Sequence, residues 1–160
     1  MHAFDPTSRL RAAHERHRFP GVTFHYSGLG AKAGGTAATS AAPGYGALGG
    51  PVRALDELLA MNGHKHRSLS LVKIDCEGCE WSTVRDWIGV GARQILVETH
   101  GLPSPQGTPR ARWYQKPLNL TEYFGMYRDN GYVLFSKERN GKWAAELGFM
   151  KMADDFWRAP

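Results

Sequence analysis

The stretch Leu69-Ser70-Leu71-Val72-Lys73-Ile74-Asp75-Cys76-Glu77-Gly78-Cys79-Glu80-Trp81 decides the fold class. Residues 69–74 are apolar with few polar interruptions, the pattern of a strand buried on both faces in a parallel sheet. An acidic turn follows, and residues 80–88 then place Val84, Trp87 and Ile88 on one side of a helix. A strand running through a tight turn into a helix is half of a β-α-β unit.

The alternation continues in both directions. Downstream, Gln94-Ile95-Leu96-Val97-Glu98 reads as the next strand, followed by a proline-rich loop with Pro103, Pro105 and Pro109. A helix around 119–130 ends at Asn130-Gly131. Tyr132-Val133-Leu134-Phe135 and Leu147-Gly148-Phe149-Met150 flank Asn140-Gly141, which predicts a hairpin with a long or irregular loop. Upstream, residues 52–59 space Val52, Leu55, Leu58 and Leu59 as an amphipathic helix, stopped by Asn62-Gly63.

Residues 28–50 hold eight glycines and little to bury, and read as a flexible loop or insertion. Gly21 opens the β-rich run Val22-Thr23-Phe24-His25-Tyr26, closed by Ser27-Gly28. Residues 8–18 have helical spacing with Ser8 available as a cap, and residues 2–5 read as the end of a strand before Asp5-Pro6. The order β-α-β-loop-α-β-α-β-α-β-β predicts an α/β fold. We expect a mostly parallel, Rossmann-like sheet with helices on both faces, a closing antiparallel hairpin, and one domain over residues 1–160.

The bulk properties fit that expectation. With 160 residues, 42% hydrophobic and 22% charged, the chain can bury a real core. It has no apolar run of the roughly 18 residues that a membrane span needs. Met1-His2-Ala3-Phe4-Asp5 carries none of the marks of a signal peptide, so either the protein stays inside the cell or a targeting segment lies upstream, and the chain is expected to be soluble. The net charge of +5 permits acidic partners. Much of the excess is Arg9, Arg11, Arg16 and Arg18, with His14 and His17 between them. Without aromatic interleaving this reads as a solvated helix face, and a nucleic-acid partner is not expected.

In open α/β sheets, ligands bind outside the carboxyl ends of the strands. Those ends are Asp5-Pro6, Ser27-Gly28, Asp75-Cys76-Glu77-Gly78 and Glu98-Thr99-His100, and three of the four carry an acid straight after an apolar run. An acid there costs desolvation unless a ligand hydroxyl, an amine or a metal compensates it. The alternative is that each acid caps the helix that follows.

The run Lys73-Ile74-Asp75-Cys76-Glu77-Gly78-Cys79-Glu80-Trp81, with Gln94-Ile95-Leu96-Val97-Glu98-Thr99-His100 after it, resembles the FkbM-type and related methyltransferase-like domains. Phe4-Asp5-Pro6 is similar to the acidic end of their second strand, and residues 52–59 to the helix before the motif strand. The resemblance implies a class I methyltransferase fold that binds S-adenosylmethionine. It implies that Asp5, after Phe4, accepts hydrogen bonds from the ribose hydroxyls, and that Ser27 and Gly28 lie near the adenine. Asp75 and Glu77 would face the methionine end and the acceptor. For a hydroxyl acceptor, Glu98 or His100 would serve as base. The acceptor implied is a small or carbohydrate-like molecule, met by a loop over 101–117 that carries Arg110, Arg112, Trp113 and Tyr114. In those domains a first strand and a glycine-rich loop precede the Phe4-Asp5-Pro6 strand, so the chain is expected to be a fragment, with a non-catalytic binding module as the alternative.

Other motifs are weaker. Gly28-Leu29-Gly30-Ala31-Lys32-Ala33 approaches a dinucleotide fingerprint, but more glycines follow where a helix should begin. Cys76-Glu77-Gly78-Cys79 has the placement of a redox pair, yet the acids around it disfavour a thiolate, and two inert, partly buried cysteines are expected. His64, His66, Cys76 and Cys79 are split by a strand and cannot share a zinc ion. Asp75, Glu98 and His100 suit a divalent ion by type, although nothing in the sequence demands one and no metal is expected.

Overall fold

The computed structural model describes residues 1–17, 19–30, 50–65, 68–101, 118–141, 144–154 and 156. The first strand, β1 (His2–Phe4), leads through a short 3-10 turn over Ser8–Leu10 into α1 (Arg11–Arg16). Strands β2 (Thr23–His25), β3 (Gly28–Leu29) and β4 (Val52–Arg53) follow, then α2 (Leu55–Met61) and β5 (Leu71–Ile74). The remaining elements are α3 (Glu80–Gly89), β6 (Gln94–His100), α4 (Leu120–Asp129), β7 (Tyr132–Asn140) and β8 (Ala144–Lys151). The chain is mixed α/β, as expected.

The strands fall into three ladders rather than one sheet: β1 with β2, β3 with β4, and a four-stranded sheet in the order β5-β6-β8-β7. The first two ladders and the β5–β6 pair are parallel, while β8 runs antiparallel to both β6 and β7. Among the described residues no strand pairs with the free edge of β5.

One face of the four-stranded sheet makes the core. Ile95, Val97, Leu147 and Phe149 point to it and meet Trp81, Val84, Trp87 and Ile88 of α3 and Tyr123 and Tyr127 of α4, all of them buried. The Tyr127 ring stacks on Phe149 at 3.6 Å between centroids, and Trp81 lies 4.7 Å from Tyr123. Each large apolar side chain so buried contributes about 1.5–3 kcal/mol. Thr99, Tyr123 and Tyr127 satisfy their hydroxyls in a chain, with successive oxygens 3.2 Å apart. Asn119 starts α4 with a capping box: its side chain accepts from the Glu122 N–H, and Glu122 accepts from the Asn119 N–H. Asn130 and Gly131, the latter at φ +77°, end the helix.

Several local expectations are corrected. The strand read over 69–74 is β5, and it is not buried on both faces: Leu71 is 48% exposed and Lys73 reaches Glu146 of β8 at 2.8 Å in a half-exposed ion pair. Both α3 and α4 pack on the opposite face, so the expected helices on both faces are not seen among the described residues. Val52 and Arg53 belong to a strand, and the helix starts at Leu55, because Gly28 and Leu29 pair with Val52 and Arg53. Gly28 and Leu29 therefore do not open the predicted loop, while residues 31–49 lie outside the described residues. Within the helix predicted over 8–18, a 3-10 turn over Ser8–Leu10 runs into α1, which has no side-chain cap at Leu10 and buries no residue. The C-terminal hairpin has no long loop. Its ladder runs to the pair Asn140–Ala144, with a register shift between Leu134 and Ser136 that brings the Phe135 ring over Gly148. Among the described residues no helix is long and apolar enough to cross a membrane.

Candidate active site

The parallel register brings the acids together. The last β5–β6 pair is Ile74 with Val97, so Asp75 comes level with Glu98 one step further on. Glu98 and His100 are two residues apart on β6 and share a face, as alternating strand side chains must. The turn between β5 and α3 carries Glu77 at φ +55°, an uncommon backbone for a residue with a Cβ, followed by Gly78 at φ +110°.

His100 is the centre of the group. It is 7% exposed, and Glu80, at the start of α3, is fully buried beside it. Glu80 Oε1 accepts the His100 backbone N–H at 2.6 Å and lies 3.1 Å from His100 Nδ1, while Oε2 accepts the Gly78 N–H at 2.8 Å. Charge-assisted bonds of this kind offset the desolvation of a buried carboxylate. The next residue of α3 completes the grip: Trp81 Nε1 donates to the His100 carbonyl at 2.8 Å. With Nδ1 turned to Glu80, Nε2 faces Glu77 Oε2 at 3.3 Å and Glu98 Oε1 at 3.5 Å. Glu98 is 9% exposed, and its Oε1 accepts from Asn140 Nδ2 at 2.7 Å.

These surroundings shift both groups. Burial pushes the Glu98 carboxyl above the ordinary carboxylate range, and the Asp75 charge adds to it. Burial acts to lower the His100 imidazole, but the Glu80 hydrogen bond and the charges of Glu80, Glu77 and Glu98 outweigh it, and the net direction is up. Both are thus stronger bases than the same groups in water.

The other predicted residues sit at the ends of the β1–β2 ladder. Asp5 Oδ1 accepts the Thr7 N–H at 2.8 Å, and Oδ2 lies 3.7 Å from His14 Nε2. Phe4 stacks on His25 with centroids 4.7 Å apart. The Ser27 hydroxyl and the Gly28 N–H both donate to the Pro51 carbonyl at 2.9 Å. A Cβ at Gly28 would come within 2.8 Å of Pro6. Ser27 and Gly28 therefore hold the chain together locally. The segment carrying Pro103, Pro105, Pro109, Arg110, Arg112, Trp113 and Tyr114 lies outside the described residues, as do Arg18 and His66.

Two features of the site were not foreseen. In the sequence Glu80 stands as one acid of the motif and the start of a helix, and Asn140 as a turn residue, and neither is marked there as part of the site. Cys76 and Cys79 are not a pair of inert thiols: they are joined in a disulfide that closes the turn containing Glu77 and Gly78. Neither is then available as a metal ligand.

A family model described as a methyltransferase domain matches residues 1–151. The chain belongs to that methyltransferase-domain family. No curated protein and no solved structure matches it. The match takes in both predicted groups, so Asp5 at the end of β1 and the Glu80-anchored His100 at the end of β6 both belong to the methyltransferase domain.

Proposed function

We propose that this methyltransferase domain, of FkbM-like type and with a Rossmann-like cofactor site, transfers a methyl group from S-adenosylmethionine to a hydroxyl of a small or carbohydrate-like acceptor. The observation that carries the reading is the buried Glu80 carboxylate aiming His100 at the carboxyl ends of β5 and β6, beside Glu98. The donor supplies an activated methyl on a sulfonium, so the chain's own work is to bind, to align and to take up a proton.

The residues present suit such a donor unevenly. Asp5 spends one oxygen on Thr7 and keeps acceptor capacity on the other, which is what ribose hydroxyls require. Asp75 is exposed, and with Glu77 it offers carboxylates to an ammonium group at the methionine end. Ser27 and Gly28 have their polar groups on Pro51 and would contribute surface to the adenine rather than hydrogen bonds.

At the reacting end, the acceptor hydroxyl must lose its proton as the new C–O bond forms. Glu98 and His100, both raised in pKa, are the groups that would receive it. Transfer of tritiated methyl from the donor to a panel of sugars and small alcohols tests the assignment, with the His100→Gln variant alongside. We expect labelled ether product from the natural chain and at least a hundredfold less from the variant. Labelling confined to amine or thiol acceptors would overturn the hydroxyl assignment.

A further inference from the structure

Asp75, Glu98 and His100 are the one group among the described residues whose candidate donor atoms all lie within 4.8 Å of one another. Donors on opposite sides of a small divalent cation, each about 2.2 Å from it, are ~4.4 Å apart. The observed spread therefore needs only a few tenths of an ångström of side-chain adjustment. The set mixes one imidazole nitrogen with two carboxylates, donors that suit first-row divalent ions.

The group is more than a meeting of surface acids. His100 is buried and Glu98 nearly so, and each is aimed by a partner outside the donor set. Glu80 holds the Nδ1 side of His100, and Asn140 donates to Glu98 from two strands away. Metal-binding histidines and carboxylates are oriented by outer partners of this kind. Asp75 is exposed and gives the group its opening to solvent. Glu77 and Glu146 add negative charge nearby, Glu77 facing His100 Nε2 at 3.3 Å and Glu146 paired with Lys73.

We propose that Asp75, Glu98 and His100 bind a single first-row divalent cation at the carboxyl ends of β5 and β6. The site does not depend on the methyl-transfer reading, because occupancy is measured with neither donor nor acceptor present. With the cation in place, Asp75, Glu98 and His100 would hold it, and it would supply Lewis-acid polarisation of an oxygen bound there.

Titration of the metal-free chain with manganese(II), followed by calorimetry and by loss of the free-ion electron paramagnetic resonance signal, tests the proposal. Asp75→Asn removes an exposed ligand without disturbing the core, and Glu138→Gln removes an exposed acid on β7 outside the group. We expect one ion per chain, affinity reduced at least tenfold by Asp75→Asn, and no change with Glu138→Gln. Absence of binding to the folded chain, a smaller loss with Asp75→Asn, or an equal loss with both variants would overturn it.

Discussion

Glu80 Oε1 receives the backbone N–H of His100 at 2.6 Å and faces its Nδ1 at 3.1 Å, so one buried carboxylate oxygen fixes both the end of β6 and the direction of an imidazole. The Glu80→Gln substitution keeps the shape and removes the charge, and puts a donor nitrogen against the N–H of Gly78 or of His100. Hydrogen bonds to charged groups are worth about 1.5–3 kcal/mol. We expect the variant to lose about 2–3 kcal/mol in urea denaturation at neutral pH. A change under about 0.5 kcal/mol would mean that Glu80 does not anchor the strand.

The same contact sets a pH dependence. The His100 pKa is raised in the folded chain above the ordinary 6.5, so the folded state holds the proton more tightly than the unfolded one. Its contribution to stability is full below 6.5 and is lost as pH rises through the folded-state pKa. The stability difference between the natural chain and His100→Asn should therefore shrink with rising pH across that window. The His100 imidazole resonance should titrate above 6.5 in the natural chain and lower in Glu80→Gln.

The disulfide offers an independent handle on the turn. Cys76 and Cys79 close a loop of a few residues, for which the chain-entropy account gives about 2 kcal/mol. Reduction under native conditions should lower the unfolding free energy by that amount and make both sulfurs reactive to iodoacetamide. Full alkylation of the unreduced chain would contradict the bond.

What could be read in advance follows from where the information lies. Asp75, Glu98 and His100 were visible because each follows an apolar run, and strand ends are where ligands meet this kind of fold. Glu80 was hidden because nothing local marks an acid as buried. Its burial comes from the packing of α3 against a strand twenty residues further on, and an acid in the first turn of a helix is ordinarily a solvated one. Asn140 looked like a turn residue because the hairpin was cut short at Phe135; the ladder in fact runs on to Ala144 and carries Asn140 within reach of Glu98. Val52 matched the helical spacing of Leu55 and Leu58, but its pairing with Gly28 decided for a strand. Lys73 had the period of an open face, and the apolar residues around it masked that signal.

The proposed binding of S-adenosylmethionine, with Asp5 at its ribose, is tested most directly by calorimetric titration with S-adenosylhomocysteine. We predict one molecule bound per chain, with affinity reduced at least tenfold in Asp5→Ala, a variant at a partly exposed carboxylate outside the core. A folded chain that binds none, or that binds equally well with Asp5→Ala, would contradict the account.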